Sequence, residues 1–419
     1  MLRLKNNLLA IFLMFFLSNH CFSQETIKTM FYNILDFPEA PPSNRADLLK
    51  IIIDNYQPDL FMICELQSEE GANTILNTSL RTNDDRYMRA DFVSNQSNTN
   101  SDLQQMVFYN SKKMILESQN EIVTGVRDIN HYIFKLNTQE TTTNAVYLDV
   151  FVAHLKSSQG FENEQLRLEM ALDFTSSLGL IPTDHYVIFA GDFNFYSSNE
   201  PGYEELLDPT NSIVLVDPIN RSGNWHTNTT FQDIHTQSTR TSNSGFDGFG
   251  AGGGLDDRFD FILISENLQT STTLKYIEST YGAYGNNGNC FNNNINDANC
   301  IGPDYTQPIR DVLYNMSDHL PVVMQLQTDK VLNQQENYYS NTFMQITNGN
   351  IITDDIFLEI DPIYLNKRLI IYDGLGQKLK IILLSETRNI IDATNLSSGI
   401  YYLTMEQSSQ IKPLKIIKL

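Results

Sequence analysis

The chain has 419 residues, of which 41% are hydrophobic and 19% charged. This composition allows a sizeable core and excludes wholesale disorder, and the length predicts two or three domains. The formal net charge is −22, and residues 24–344 hold 42 acidic against 18 basic side chains. Such an acidic surface repels nucleic acid at long range. It argues against a tight, non-catalytic nucleic-acid binder but does not exclude an enzyme that contacts phosphates through a divalent metal.

Residues 1–23 have the pattern of a secretory signal peptide. Arg3 and Lys5 precede an apolar run from Leu8 to Leu17, and Ser23 offers a small residue for cleavage. The run is too short for a membrane span, and no later stretch approaches about 18 apolar residues. We therefore expect a protein that is secreted or held at the cell surface, without stable membrane insertion, as a monomer.

The cysteines agree with export. Cys290 and Cys300 bracket an Asn-rich loop, and a disulfide between them is predicted in an oxidising compartment. Cys64 follows an apolar run and is expected to be a buried free thiol.

Residues 24–328 alternate short apolar runs with helical patterns, which predicts a layered α/β domain. Helices are predicted at 44–55 and 162–177, and strands at 29–32, 60–64, 107–109, 132–136, 146–153, 186–190, 259–264 and 322–326. The segments 220–257 and 276–316 are long, polar and rich in Gly, Asn and Ser. They are interpreted as functional or mobile loops. Residues 329–345 are predicted to be a linker, and 346–419 a small β-sandwich with turns at Asp373-Gly374 and Ser397-Ser398-Gly399.

Polar side chains of a narrow type lie where the predicted strands of the first domain end. They are Asn33, Glu65, His154 and the pair Asp192 and Asn194 after strands, and Asp260 and the run Ser317-Asp318-His319 before strands. These groups meet on one rim if the sheets are mixed, with the last strands antiparallel to the earlier ones. Carboxylates, amides and imidazoles gathered in this way are what metal-assisted phosphate chemistry needs.

Physical roles follow for several of these residues. Glu65 is the best candidate ligand for Mg²⁺, which prefers oxygen, with the amide of Asn33 beside it. His154 and Asn194 can offset the charge that develops on a phosphate under attack. His319 with an Asp partner suits a general base near neutral pH. Each residue alone also has an ordinary interpretation as a turn, a cap or a structural histidine, so the hypothesis depends on the whole set.

The same residues stand in strings that resemble, in order, the motifs of the endonuclease/exonuclease/phosphatase, or deoxyribonuclease I-like, superfamily. The strings are Phe31-Tyr32-Asn33, Pro58-Asp59-Leu60 with Cys64-Glu65, His154-Leu155-Lys156-Ser157, Gly191-Asp192-Phe193-Asn194, Arg258-Phe259-Asp260-Phe261-Ile262-Leu263 and Ser317-Asp318-His319-Leu320-Pro321-Val322. The resemblance spans about residues 26–327. It implies a four-layer α/β sandwich with two packed mixed or antiparallel sheets.

The resemblance also implies site residues. The metal, Mg²⁺ or alternatively Mn²⁺ or Ca²⁺, is expected at Asn33, Glu65 and Asp318. The catalytic residues are expected to be His154, Asp192, Asn194, Asp260 and His319. Two departures bear on the subfamily only, because Leu66-Gln67-Ser68 lacks the Gln-Glu order of the nucleases and residues 127–136 lack an Arg-x-Pro.

The C-terminal body resembles the type A sorting domain of the type IX secretion system. The strings that carry this resemblance are Ile371-Tyr372-Asp373 with Leu375-Gly376-Gln377, Leu396-Ser397-Ser398-Gly399-Ile400-Tyr401-Tyr402, and Lys415-Ile416-Ile417-Lys418-Leu419. It implies export with the type IX machinery as partner and no catalytic part for this body. An ordinary Ig-like adhesion module is the alternative.

Three functions are therefore weighed. The first is a secreted, metal-dependent nuclease that hydrolyses DNA or RNA, with Lys156 and Arg240 as substrate contacts. The second is a phosphodiesterase or phosphatase acting on lipid head groups or small organic phosphates, although the Asn-rich loop 281–305 offers no apolar hairpin for a membrane. The third is a catalytically silent surface binder. The segment 220–257 also holds Arg221, Trp225, His226, His235 and Arg240. These residues either bind phosphate or stack a base, or they are loop residues with no role.

Overall fold

The computed structural model describes residues 25–81, 85–98, 101–141, 143–332, 344–360, 362–405 and 413–419. The predicted signal peptide and most of the predicted linker lie outside these residues. The chain divides into two compact units, 1–335 and 336–419. Within the described ranges, no helix has the length and apolar character needed to cross a membrane.

The strands and helices of the first unit alternate along the chain. The strands are β1 (Glu25–Phe37), β2 (Leu60–Leu66), β3 (Tyr87–Arg89), β4 (Gln104–Asn110), β5 (Met114–Ile122), β6 (Ile129–Leu136), β7 (Tyr147–His154), β8 (Tyr186–Asp192), β9 (Leu215–Val216), β10 (Asp260–Ser265), β11 (Leu274–Tyr276), β12 (Gly282–Ala283) and β13 (Val322–Thr328). The helices are α1 (Arg45–Tyr56), α2 (Glu69–Thr74), α3 (Phe161–Ser177), α4 (Pro201–Leu206), α5 (Asn267–Thr270) and α6 (Gln307–Met316), and a π-helical turn at Ile75–Leu80 continues α2.

These elements build four layers. One sheet has the order β11-β13-β1-β2-β4-β3 with β12 beside β13, and the other has the order β5-β6-β7-β8-β10-β9. Alternate residues of the strands, such as Phe31 in β1 and Ile188 in β8, fill the core between the sheets. The opposite faces pack against helices, Tyr32 against α1 and α6 and Phe189 against α3. This alternation follows from the two-residue period of a strand, and the predicted four-layer α/β sandwich is confirmed.

Strand direction explains how distant residues reach one edge. β1 and β2 are parallel, as are β7 and β8. β13 runs antiparallel to β1, and β10 runs antiparallel to β8. The carboxyl ends of β1, β2, β7 and β8 therefore lie at the same edge as the amino ends of β10 and β13.

The second unit is a β-sandwich, as predicted. Its strands are β14 (Met344–Ile346), β15 (Ile351–Ile352), β16 (Asp355–Ile360), β17 (Arg368–Asp373), β18 (Lys378–Leu383), β19 (Arg388–Asp392), β20 (Gly399–Met405) and β21 (Leu414–Lys418). They form the sheets β14-β16-β19 and β15-β21-β20-β17-β18. Leu358 and Ile391 of the first sheet share one core with Leu369, Leu403 and Ile416 of the second.

The cysteine predictions are confirmed in the first unit. A disulfide joins Cys290 and Cys300, and Cys64 is a buried free thiol. The disulfide closes a loop that bonds to the segment before β10, since Ile295 N donates to Thr239 O and Leu255 N donates to Asn293 O. The segment 276–316, predicted as one long loop, in fact ends in α6.

Candidate active site

The polar strand ends lie side by side in register. His154 at the end of β7 pairs with Asp192 at the end of β8, and Asp192 pairs with Asp260 at the start of β10. In the other sheet, Asn33 pairs with Cys64, the neighbour of Glu65. Because the two sheets pack face to face, these ends meet at one rim.

The amide of Asn33 bridges the two sheets. Its Nδ2 donates to Glu65 Oε1 at 2.8 Å and to Asp192 Oδ2 at 3.0 Å, and its Oδ1 accepts from Leu35 N. Glu65 Oε2 accepts from Asp36 N at 3.0 Å. Glu65 has a φ of 62°, a left-handed conformation that is unusual for this residue type and is found at functional sites. The backbone thus turns the carboxylate of Glu65 toward the amide of Asn33.

His319 forms a buried pair with a carboxylate. Its Nδ1 lies 2.8 Å from Asp260 Oδ2, and its Nε2 lies 3.6 Å from Asp192 Oδ2. Ser317 Oγ fixes the turn, because it accepts from His319 N and donates to Asn33 O. Burial lowers the pKa of His319, but the carboxylates of Asp260 and Asp192 outweigh it and raise the pKa well above the usual range. The imidazole is oriented and made basic by these carboxylates.

His154 has the opposite electrostatic environment. Its Nε2 lies 3.6 Å from Asp192 Oδ2, and its Nδ1 lies 3.9 Å from Glu65 Oε1. Burial lowers the pKa of His154 far below the usual range, and the positive charges of Arg127 and His319 lower it further. Arg127 also fixes the strand end, because its guanidinium donates to the carbonyls of His154 and Leu155. His154 is therefore a neutral imidazole in this site.

Within the described part of the chain, two sets of side chains could hold a metal ion. Ligand atoms of Glu65, His154 and Asp192 lie within 4.8 Å of one another, as do those of Asp192, Asp260 and His319. Burial raises the pKa of Asp192 to about 7 and also raises the pKa of Glu65. Buried carboxylates held this close repel each other, and a divalent cation between them would favour the ionised forms. The donor set of oxygens with an imidazole fits such a cation.

The other predicted residues differ in their positions. Asn194 has a φ of 54° and lies beside Asp192, since its backbone N donates to Asp192 Oδ1 at 3.2 Å. Asp318 belongs to neither ligand set among the described residues. Its Oδ2 accepts from Ala251 N at 2.7 Å and from Gln237 Nε2 at 3.1 Å.

The two predicted substrate contacts also differ. Lys156 is half-buried two residues after His154, and its Nζ donates to Ser157 O. Arg240 is fully buried. Its Nε donates to Tyr314 O at 2.9 Å, and its guanidinium lies 3.4 Å over the Phe246 ring. This is the environment of a structural residue, so Arg240 is not brought to the rim.

Gln237 was not predicted and contacts the site directly. Its side-chain amide lies 2.6 Å from His319 Nε2, the ring nitrogen opposite the one that pairs with Asp260. Its backbone forms isolated β-bridges with Asp257 and with His319. A single Gln in a polar, Gly- and Ser-rich segment carries no pattern, so the sequence offered no signal for it.

Comparison with known families identifies one unit. Residues 352–419 match the family described as the secretion system C-terminal sorting domain. The C-terminal unit is a sorting domain. Its resemblance to the type IX sorting domain is confirmed, and the protein is secreted, either attached to the cell surface or released. No curated protein matches the chain.

Solved structures similar to the chain come from several organisms. D. rerio TDP2 complexed with single strand DNA product has 14% identity and a TM-score of 0.46, covering 73% of this chain and 100% of that one. The human Nocturnin catalytic domain with bound sulfate has 18% identity and a TM-score of 0.43, covering 72% and 97%. An endonuclease/exonuclease/phosphatase family protein from Bacteroides thetaiotaomicron has 13% identity and a TM-score of 0.42, covering 76% and 99%. The last is named for the superfamily that the motifs resemble, and similarity at this level says nothing about substrate.

Proposed function

We propose that the first unit is a metal-dependent phosphodiesterase, and that extracellular nucleic acid is its substrate. One observation carries the proposal. The ends of two packed sheets place Glu65, His154, Asp192 and the His319–Asp260 pair in one buried cluster around Asn33.

Glu65 and Asp192 are the residues that would hold the metal, with His154 beside them. A bound divalent cation supplies positive charge to the phosphate oxygens of the substrate. Mg²⁺ suits the oxygen-rich donor set, and Mn²⁺ or Ca²⁺ is the alternative. Asp192 is one of the carboxylates that raise the pKa of His319, and a cation held by Asp192 would weaken that effect. His319 can then act as a base.

The side chains divide the hydrolysis between them. His319 takes a proton from the attacking water as the water oxygen bonds to phosphorus, and Asp260 stabilises the imidazolium. The bond from phosphorus to the leaving oxygen then breaks, and that oxygen takes a proton from solvent. Negative charge grows on the remaining phosphate oxygens during this step. The side-chain amide of Asn194 and the neutral imidazole of His154 can donate hydrogen bonds to them.

A second candidate has an observation in its favour. Residues 24–344 are strongly acidic, and this charge disfavours a long polyanion more than a short one. A small organic phosphodiester is therefore the alternative substrate. The silent binder is the weakest hypothesis, since the side chains of His154, Asp192, Asp260 and His319 lie together in this cluster. Asn194 adjoins it through its backbone N.

The test uses the purified mature protein. We would incubate it with plasmid DNA, RNA, sphingomyelin and bis(4-nitrophenyl) phosphate, in Mg²⁺ and in EDTA, beside the His319→Ala variant. We expect cleavage of nucleic acid that needs the metal and that falls by about 10²–10⁴-fold in the variant. Cleavage that survives both changes would overturn the mechanism. Cleavage of bis(4-nitrophenyl) phosphate or sphingomyelin without nucleic acid would favour the second candidate.

A further inference from the structure

A second carboxylate–imidazole pair lies at the same rim. His226 Nδ1 is 2.7 Å from Asp257 Oδ1, and His226 Nε2 is 3.0 Å from the amide Nε2 of Gln159. The side chain of His226 is 38% exposed, the largest value among the described histidines. The arrangement repeats that of His319, which also has a carboxylate on Nδ1 and an amide on Nε2. Here, however, the imidazole faces solvent.

Three of the catalytic motifs place this pair. Gln159 lies in the loop that follows His154 at the end of β7. The backbone N of His226 donates to the carbonyl of Tyr196, two residues after Asn194. Asp257 lies three residues before Asp260. The second pair is therefore fixed by the same strand ends that build the cluster.

A buried ion pair supports this part of the rim. Arg167 Nη1 donates to the carbonyls of Lys156 and Ser158, both at 2.9 Å, and Arg167 Nε donates to Glu200 Oε2 at 2.7 Å. Glu200 Oε1 in turn accepts from Tyr196 N at 2.8 Å. Both charged side chains are buried. The Arg167–Glu200 ion pair thus holds both the loop that carries Gln159 and the segment that carries Tyr196.

The second pair also adjoins His319. Gln237 N donates to Asp257 O, and Asp257 N donates to Gln237 O, while the side chain of Gln237 contacts His319. Burial raises the pKa of Asp257 to about 6, whereas its hydrogen bond from His226 and the charge of His319 act to lower it. Asp257 and Gln237 thus connect His226 to His319.

We propose that His226, oriented by Asp257 and assisted by Gln159, is a specificity-determining residue of the proposed phosphodiesterase. In place of the Gln159 amide, His226 Nε2 contacts an oxygen in the part of the substrate next to the scissile phosphate. With Nδ1–H donating to Asp257, Nε2 accepts from a sugar hydroxyl, and as an imidazolium the ring donates to an oxygen of a neighbouring phosphate. His154 and Asn194 face the scissile phosphate itself, and His319 is the base. The exposed imidazole of His226 remains for the part of the substrate next to the scissile phosphate. This inference rests on the proposed function and adds the substrate class to it.

The experiment compares three diesters that release the same 4-nitrophenol. Bis(4-nitrophenyl) phosphate has no sugar, thymidine 5′-(4-nitrophenyl) phosphate adds the sugar, and its 3′-phosphorylated form adds a second phosphate. We expect His226→Ala to lower kcat/KM on a nucleotide diester about tenfold more than on bis(4-nitrophenyl) phosphate, chiefly through KM. If kcat/KM of His226→Ala already falls selectively on the thymidine diester, His226 binds a sugar oxygen. If it falls selectively only on the 3′-phosphorylated form, His226 binds a phosphate oxygen.

Two further variants keep the test sharp. His226→Gln retains a polar group and should recover part of the selectivity, whereas Ser222→Ala, an exposed change in the same loop, should match the wild type on all three diesters. Equal losses of His226→Ala on the three diesters, or no loss on any, would overturn the inference and leave the proposed function standing. A wild-type protein that hydrolyses none of them overturns both.

Discussion

At the scale of single residues, the site depends on a few side chains that each satisfy several partners. Asn33 has no charge and would not be chosen as catalytic from its chemistry alone. Yet its amide holds Glu65 and Asp192 at 2.8 and 3.0 Å. These carboxylates come from different sheets, so the amide fixes the spacing between the two side chains that we propose as metal ligands.

Replacing this amide should therefore affect activity before stability. We expect Asn33→Ala to lower kcat/KM by about 10²-fold, because both carboxylates lose a donor and their positions relax. Activity would be measured at saturating Mg²⁺, with circular dichroism as a check on folding. Asn144→Ala, on the surface, is the matched control. An Asn33→Ala enzyme as active as this control would refute the role of the amide.

The pH dependence of stability can be predicted at His235. Burial lowers the pKa of His235 to about 4, although hydrogen bonds to the backbone oppose the shift. Because the unfolded side chain binds a proton near pH 6.5, the stability due to neutral His235 is fully present above that pH and declines as the pH falls toward 4. Urea unfolding at pH 7 and pH 4.5 should show a smaller difference for His235→Phe than for the wild type. Equal differences in the two proteins would contradict this assignment.

At the scale of elements, the start of β10 is fixed by a buried ion pair. Arg258 donates to both oxygens of Asp217, at 2.8 and 2.9 Å, and both side chains are buried. Burial alone would raise the pKa of Asp217, but Arg258 outweighs it and lowers the pKa. The pair joins the segment after β9 to the strand that carries Asp260.

Removing one partner should be costly. We expect Asp217→Asn to reduce the free energy of unfolding by about 3–5 kcal/mol, since Arg258 would keep a buried charge without a counterion. Glu204→Gln, which neutralises an exposed carboxylate in α4, should stay within about 0.5 kcal/mol of the wild type. Urea denaturation of the three proteins measures both values. A similar stability of the two variants would show that the pair contributes little.

The strands with apolar runs could be predicted from the sequence, whereas elements made largely of polar residues could not. The strands with continuous apolar runs, such as β7 and β8, were found because both of their faces are buried. The edge strand β5 was missed, since its residues Glu117, Gln119 and Glu121 are polar and its burial is partial. Helix α6 was missed inside a polar segment, although Ile309, Leu313 and Met316 form its buried side.

Site residues could be predicted where they lie at the end of a predicted strand. Residues next to apolar runs, such as Asp192 and His319, could be assigned to one rim because the sheets are mixed. Gln237 and His226 lie on irregular loops, and only tertiary contacts bring them to the rim. Arg240 was misjudged because a cation in a polar loop gives no sign that it is buried.

At the scale of the whole molecule, the two units have separate cores. Among the described residues, the core of the second unit includes no residue of the first unit, and the candidate catalytic cluster lies wholly within the first unit. The sorting domain therefore serves export, while the proposed chemistry belongs to the acidic first unit.

This division predicts the effect of truncation. A protein ending at residue 335 should keep kcat/KM within about twofold of the full mature chain, because no side chain of the cluster is removed. The same truncation should abolish export in a host with the secretion system. Activity would be followed on bis(4-nitrophenyl) phosphate and export by comparing cell and medium fractions. Loss of activity with export intact would reverse the assignment of the two units.

The most direct test is the rate of bis(4-nitrophenyl) phosphate hydrolysis by the metal-stripped mature protein as Mg²⁺ is added back. The wild type should be silent without metal and should reach a saturating rate with it. Glu65→Gln should need far more Mg²⁺ and reach a rate lower by about 10²-fold or more. A wild-type rate that does not depend on Mg²⁺, or a Glu65→Gln titration that matches it, would contradict a metal-dependent site at this cluster.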